Sequence, residues 1–350
     1  MREAARPAAR GVRRHQSITS TWFVAGFVAL VSAAFYLALS VQQAFTGDSD
    51  GPLPAVSPAT QLTVAEAVPR PNPTVVPQPD DAVQLAPPPK PGLAPAVGDP
   101  ALLSAIETAA GEDRDHIAVS VKRISDGRSA ALNGDYQFYA ASTFKLAILY
   151  EAEVRHAKGE LEYTDTLLMS EEDAAEDLGT SGYLHFEPDG SITIGNLLEA
   201  MITVSDNSSA VTLLHEFGGG NIDDTLRSIG LKTMTVNQVE LWTTADDLAR
   251  LMEAIYTGES VGPTERAHMR ELLLAQNIRN GIPGALASEV DEGLRIGNKT
   301  GTWPGAQHDV AFVEAQSGAF IIAILTDGSY EGWQALQRVT QAVYAALSHD

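Results

Sequence analysis

From residue 116 to 123, HIAVSVKR, apolar and polar positions alternate, the period of a strand with one face buried. Ser125-Asp126-Gly127 then reads as a turn, and a second strand is predicted around 129–133. Asp99 and Pro100 open a helix through Ala110. Leu146, Ala147, Leu149 and Tyr150 mark another helix from Ala141 onward, and the stretches 195–216 and 244–257 are predicted as helical. Toward the end, 295–302, 308–315 and 319–326 read as three strands, and a last helix runs over 332–347. Strands split by a long helical middle predict an α+β fold: one antiparallel sheet flanked by helices, plus an all-helical subdomain over about 151–284. No internal repeat is present.

The first hundred residues follow a different pattern. Arg2, Arg6, Arg10, Arg13 and Arg14 precede an uncharged apolar run over 21–41, TWFVAGFVALVSAAFYLALSV. That is about the length that crosses ~30 Å of hydrocarbon as a helix. The basic flank places residues 1–20 in the cytoplasm and everything after Val41 outside, which predicts a single-pass cell-membrane protein with an extracytoplasmic body. A cleaved leader, with Ala38-Leu39-Ser40 as its processing site, is the alternative, and it exports the chain equally. Residues 42–97 are predicted as a spacer: 14 of the 19 prolines and none of the aromatic residues fall between 51 and 100. PAVSP, PRPNPTVVPQP and APPPKPGLAP read as extended linker, at roughly 3.1 Å per residue. The globular body is therefore expected over 98–350.

Composition narrows the function classes. The formal net charge is −22, and the excess lies in the body, because the first 97 residues hold seven basic and six acidic side chains. An acidic body argues against nucleic acid as a partner, since binding there depends on neutralising phosphates. With no cysteine there is neither a disulfide framework nor a thiolate zinc site. Eight scattered histidines include no H-E-x-x-H and no pair spaced for a metal. No cofactor is called for, and a monomer is expected. Phe217-Gly218-Gly219-Gly220-Asn221 has no lysine after it and reads as a helix stop, not a phosphate loop.

Three short motifs occur in order: Ser142-Thr143-Phe144-Lys145, Ser205-Asp206-Asn207 and Lys299-Thr300-Gly301. A serine hydroxyl needs a base to become a nucleophile, and a lysine three residues on shares its helix face. Such a lysine is a base only when burial or nearby cations lower its pKa. Taken alone, Ser142 would be a helix cap and Lys145 a solvated charge. Ser205 would pass a proton to a leaving group and Asn207 would bond a substrate amide; alone, the triplet would be a helix cap. Lys299 lies in a strand pattern, where a lysine facing a cleft would hold a substrate carboxylate with help from Thr300. Alone it would be an edge lysine that discourages aggregation. Gly301 would allow close backbone approach, and the N–H of Thr302 would join that of Ser142 as an oxyanion hole.

Taken together, these motifs resemble the serine β-lactamases and penicillin-binding proteins, specifically the class A branch. The resemblance spans about 98–350 and includes LLEAMITVSDNSSAVTLL, NKTGT, HDVAFV and FIIAILTDG. It implies an α/β part and an all-helical part with the cleft between them. It also implies acylation of Ser142 by a small-molecule β-lactam or an acyl-D-alanyl peptide. Lys145 and Ser205 would move protons, and Lys299 would bind the carboxylate. One departure stands out. The E-x-x-L-N pattern, whose glutamate activates the deacylating water in class A enzymes, is absent, and the matching region 231–245 looks shortened, with Glu240 its only acid. Glu240 is the candidate deacylation base, although it lies close to the helix start at Thr243-Thr244. His308, shortly after the third motif, is read as structural or substrate-adjacent, with a Ser142/His308 pairing left open. Three functions follow: a β-lactam hydrolase, a penicillin-binding-type peptidase that deacylates slowly, or a silent domain binding cell-wall peptide. Retention of all four reactive side chains argues against the third.

Overall fold

The computed structural model describes residues 97–348, apart from Val239 and 328–331. The apolar run at 21–41 and the proline-rich stretch at 42–96 lie outside the described residues. Among the described residues no helix is long and apolar enough to cross a membrane. The strands are β1 (Val97–Gly98), β2 (Ile117–Arg123), β3 (Ser129–Leu132), β4 (Phe138–Tyr139), β5 (Thr166–Leu168), β6 (Ser191–Thr193), β7 (Trp242–Thr243), β8 (Arg295–Trp303), β9 (Ala306–Ala315) and β10 (Gly318–Thr326). The longer helices are α1 (Pro100–Ala110), α2 (Lys145–Ala157), α3 (Ile194–Thr203), α4 (Asn207–Phe217), α5 (Gly219–Ser228), α6 (Ala245–Thr257), α7 (Pro263–Leu274) and α8 (Gly332–Ser348).

Six strands form one antiparallel sheet in the order β1-β3-β2-β10-β9-β8. Alternation along β10 sends Ile322 and Ile324 to one face and Ile321, Ala323 and Leu325 to the other. The first face packs on Leu102 and Ile106 of α1 and on Leu336, Val339 and Val343 of α8. The second packs on Leu248, Met252 and Ile255 of α6 and continues into the helical part. Because both faces are covered, β10 reads as an almost unbroken apolar run, and β9 does so over 310–313. Each fully buried Leu or Ile here is worth about 1.5–3 kcal/mol of transfer free energy. Gly297 on β8 is there because a Cβ would overlap the Phe312 ring lying across it.

In the helical part, α2 is buried along Leu146–Val154 and acts as its central post. The stretch 195–216, read from its pattern as helical, is two helices. It breaks at Ser205, whose φ of 62° is left-handed, and Asp206 caps α4 by accepting from Ser209 N at 2.6 Å. Gly218, at φ 77°, ends α4 as the glycine run predicts. The sequence reading had no helix at α5 or α7. α7 starts at Pro263, where the missing N–H costs nothing, and Glu265 accepts from Gly262 N at 2.9 Å. The short region 231–243 is pinned by two carboxylates. Asp247, in the first turn of α6, accepts from Lys232 N, Thr233 N and Met234 N at 2.6–2.9 Å. Asp223 on α5 accepts from Val236 N and Thr235 Oγ1.

Candidate active site

Ser142 sits in a 3-10 turn, Ala141–Phe144, that runs straight into α2. Ala141 before it has φ 44°, a left-handed conformation that costs of order 1–3 kcal/mol in a non-glycine residue. The turn is held because Thr143 gives both its N–H (3.1 Å) and its hydroxyl (2.6 Å) to Ala140 O. Just upstream, β4 pairs with β7, Tyr139 opposite Trp242, and Ala140 N donates to Leu241 O. The region 231–243 therefore runs beside the segment that delivers Ser142.

One turn along, Lys145 has no exposed surface. Its Nζ lies 2.6 Å from Ser205 O, 2.7 Å from Asn207 Oδ1, 3.2 Å from Ser205 Oγ and 3.3 Å from Ser142 Oγ. Burial pulls its pKa down to about 7 against the opposing pull of Asp206. A lysine neutral part of the time at pH 7 has a lone pair for the Ser142 proton. Ser205 Oγ is also 2.9 Å from Lys299 Nζ, so one hydroxyl lies between two lysine nitrogens. Lys299 is equally buried and donates to Thr300 O at 2.9 Å. Burial, and then the nearby charge of Lys145, push its pKa well down, while Asp309 pulls the other way. Asn207 turns its oxygen to Lys145, leaving its NH2 uncommitted to that contact.

β8 is the sheet edge, and that edge passes the Ser142 turn. At Gly301 a Cβ would come within 2.9 Å of Thr143 Cγ2 and 3.0 Å of Ala140 O, so only glycine allows the approach. Thr300 is buried and Thr302 is exposed. The structure thus brings Ser142, Lys145, Ser205, Asn207 and Lys299 into one bonded cluster and sets Gly301 against the nucleophile turn. Glu240 is not in the cluster. Its Oε2 accepts from Trp242 Nε1 at 2.9 Å, and among the described residues it makes no hydrogen bond to Ser142, Lys145 or Asn207. The open Ser142/His308 pairing is not formed either. His308 is fully buried, its Nε2 is 2.9 Å from Tyr139 O, and its Nδ1 accepts from Thr326 N at 3.2 Å.

Three features escaped the sequence reading. Thr180, before the one-turn helix Ser181–Tyr183, donates its hydroxyl to Asp206 Oδ2 at 2.5 Å and ties a distant loop to the second motif. Behind β8, Asp309 accepts from Asn298 Nδ2 and Ile282 N, and burial lifts its pKa to about 7. The partly exposed rings of Tyr139 and Trp303 meet at a tilt of 48°, centroids 5.5 Å apart. The Phe138-Tyr139 pair just before the serine was a legible hint of the last.

Residues 101–347 match the family described as the beta-lactamase enzyme family. The chain is 29% identical over 250 residues to Beta-lactamase FAR-1 of Nocardia farcinica, covering 64% of this chain and 75% of that one. It is 27% identical over 246 residues to a beta-lactamase of Mycobacterium tuberculosis, covering 63% and 76%. Among solved structures, PBP-A superposes with a TM-score of 0.65 at 24% identity, over 73% of this chain and 98% of that one. A beta-lactamase from Sphaerobacter thermophilus superposes with a TM-score of 0.63, also at 24% identity, over 71% and 97%. At that identity these structures speak for the fold.

Proposed function

The chain belongs to the beta-lactamase enzyme family and is a β-lactamase-like serine hydrolase, and from that premise we propose that Ser142 is its acylated nucleophile, with slow hydrolysis of the acyl-enzyme. The observation that carries this is the bonded sequence Ser142 Oγ, Lys145 Nζ, Ser205 Oγ, Lys299 Nζ, with both lysines buried. Neutral Lys145 takes the Ser142 proton as Oγ attacks the carbonyl carbon of a β-lactam or an acyl-D-alanyl peptide. The N–H groups of Ser142 and Thr302 receive the oxyanion. The C–N bond breaks as Ser205 hands its proton to the leaving nitrogen and is reprotonated from Lys145. Lys299 and Thr300 hold the substrate carboxylate, and Asn207 Nδ2 meets the substrate amide carbonyl.

Deacylation needs a base that takes a proton from water beside the ester. Glu240 is the candidate, and its bond to the Trp242 indole holds one of its two oxygens away from that task. This favours a penicillin-binding-type time course, in which the acyl-enzyme forms readily and clears slowly. The body is placed outside the membrane on an N-terminal anchor at 21–41, a reading that rests on the charge asymmetry of the sequence. The test of acylation is intact-mass analysis of the full chain with benzylpenicillin, beside a Ser142→Ala variant. A one-to-one adduct absent from the variant supports the assignment; equal labelling of the two would refute it.

A further inference from the structure

His308 has no part in the proton transfers above, yet it is a fully buried imidazole directly opposite Gly301 in the β8–β9 ladder. Its position has a consequence for the nucleophile. Among the described residues β4, which leads to Ser142, pairs with β7 in a two-stranded ribbon and shares no ladder with the six-stranded sheet. A polar bond from β4 to that sheet runs from His308 Nε2 to Tyr139 O, three residues before Ser142. On its other side the ring accepts from Thr326 N, in the last residue of β10. A ring that donates at Nε2 to a carbonyl and accepts at Nδ1 from an amide is the neutral Nε2–H tautomer. The Phe138 ring meets the imidazole edge-on at 5.8 Å and closes the same side.

We propose that neutral His308 is a positioning residue that ties the nucleophile segment to the oxyanion strand and so sets the spacing between the N–H groups of Ser142 and Thr302. The imidazole does here what a ladder hydrogen bond does elsewhere, joining β4 to the sheet level with Gly301. Substrate is never touched. Because the donors of an oxyanion hole act only when correctly spaced, a shift of about 1 Å at Ser142 costs on the order of 100-fold in acylation.

The proton state matters for the same geometry. Burial holds the imidazole pKa down to about 4. Bonds to the backbone of Tyr139 and Gln307 oppose this, as does the Asp327 carboxylate beyond the end of β10, itself 2.7 Å from His116 Nδ1. On its own strand, the neighbouring Asp309 is committed to Asn298 and Ile282 N. Protonation would set an Nδ1–H against the Thr326 N–H, donor against donor.

The inference rests on acylation of Ser142, and the experiment keeps the two separable. Benzylpenicillin acylation rates are measured on the full chain for wild type, His308→Gln and His308→Phe, from pH 3.5 to 8. Affinity for a boronic acid that forms a tetrahedral serine adduct is measured alongside. Glutamine can donate to Tyr139 O and accept from Thr326 N; phenylalanine fills the space and does neither. The phenylalanine variant should lose about 100-fold in acylation and a parallel factor in boronate affinity. The glutamine variant should stay within about threefold of wild type and lose the acid limb near pH 4. A folded phenylalanine variant with wild-type rates overturns the proposal. Should that variant not fold, a second fall in rate near pH 4, beyond the one set by Lys145, that persists unchanged in the glutamine variant overturns it. A wild-type chain without a Ser142 adduct removes the acylation reading itself; a wild-type adduct with indifferent variants removes only this inference.

Discussion

Two neighbouring regions, the Ser142 cluster and the segment 231–243 that runs beside it, are built unlike each other. Around Ser142, three motifs from separate elements close into a cluster in which Lys145 alone reaches Ser142 and both motif residues Ser205 and Asn207. Along 231–243, the carboxylates of Asp247 and Asp223 are spent on backbone N–H groups of the segment itself, and Glu240 is spent on an indole. The first side is preorganised for charge that develops in a reaction; the second is satisfied in the resting state. On the function proposed above, that contrast corresponds to ready formation of an acyl-enzyme and slow clearance.

The largest effects should come from the reactive side. Ser142→Ala abolishes the covalent adduct, and Lys145→Ala cuts the acylation rate by on the order of 10⁴-fold, read by stopped-flow labelling with a reporter penicillin. Asp247→Ala attacks the other side. It strands three backbone N–H groups, should cost about 2–4 kcal/mol in denaturant unfolding, and frees the loop. Unchanged unfolding would show that the pins are idle.

Next come effects of pH. Lys145 is protonated below about 7 and neutral above it, so acylation should rise with pH through that value and level off. For stability, His308 has a folded pKa of about 4 and an unfolded value of 6.5, so between them the unfolded chain binds the extra proton. Its contribution is full above 6.5 and falls with pH down to about 4, by at most about 3 kcal/mol. His308→Gln should flatten that part of the stability curve. The smallest effect sharpens the contrast itself. Glu240→Gln should change deacylation by less than about threefold, and Trp242→Phe, which releases Glu240, should speed it by about that factor. A collapse of deacylation in Glu240→Gln would make Glu240 a working base despite its tether.

What the sequence disclosed follows physical range. Strands β8 to β10 were legible because a strand's hydropathy pattern is local and their lengths are ample. The break at Ser205 was only half legible: Ser, Asp and Asn cap helices wherever they fall, yet the pattern over 195–216 reads as helix throughout. β4 and β7, two residues each, carry no period at all, and the ribbon they form depends on a partner about a hundred positions away. In the sequence Asp247 is one acid near the start of the stretch 244–257; its three bonds to 232–234 exist only once the loop folds back. His308 was visible as a histidine near the third motif, but its partner is a carbonyl, and carbonyls leave no mark in a sequence.

Pre-steady-state burst kinetics test the contrast most directly. Mixing the full chain with a modest excess of benzylpenicillin and following drug consumption should give a burst of one equivalent per protein, dependent on Ser142, then a slow linear phase. Linear consumption from the first moment, with no burst and no accumulated adduct, would contradict the account by showing that clearance is at least as fast as acylation.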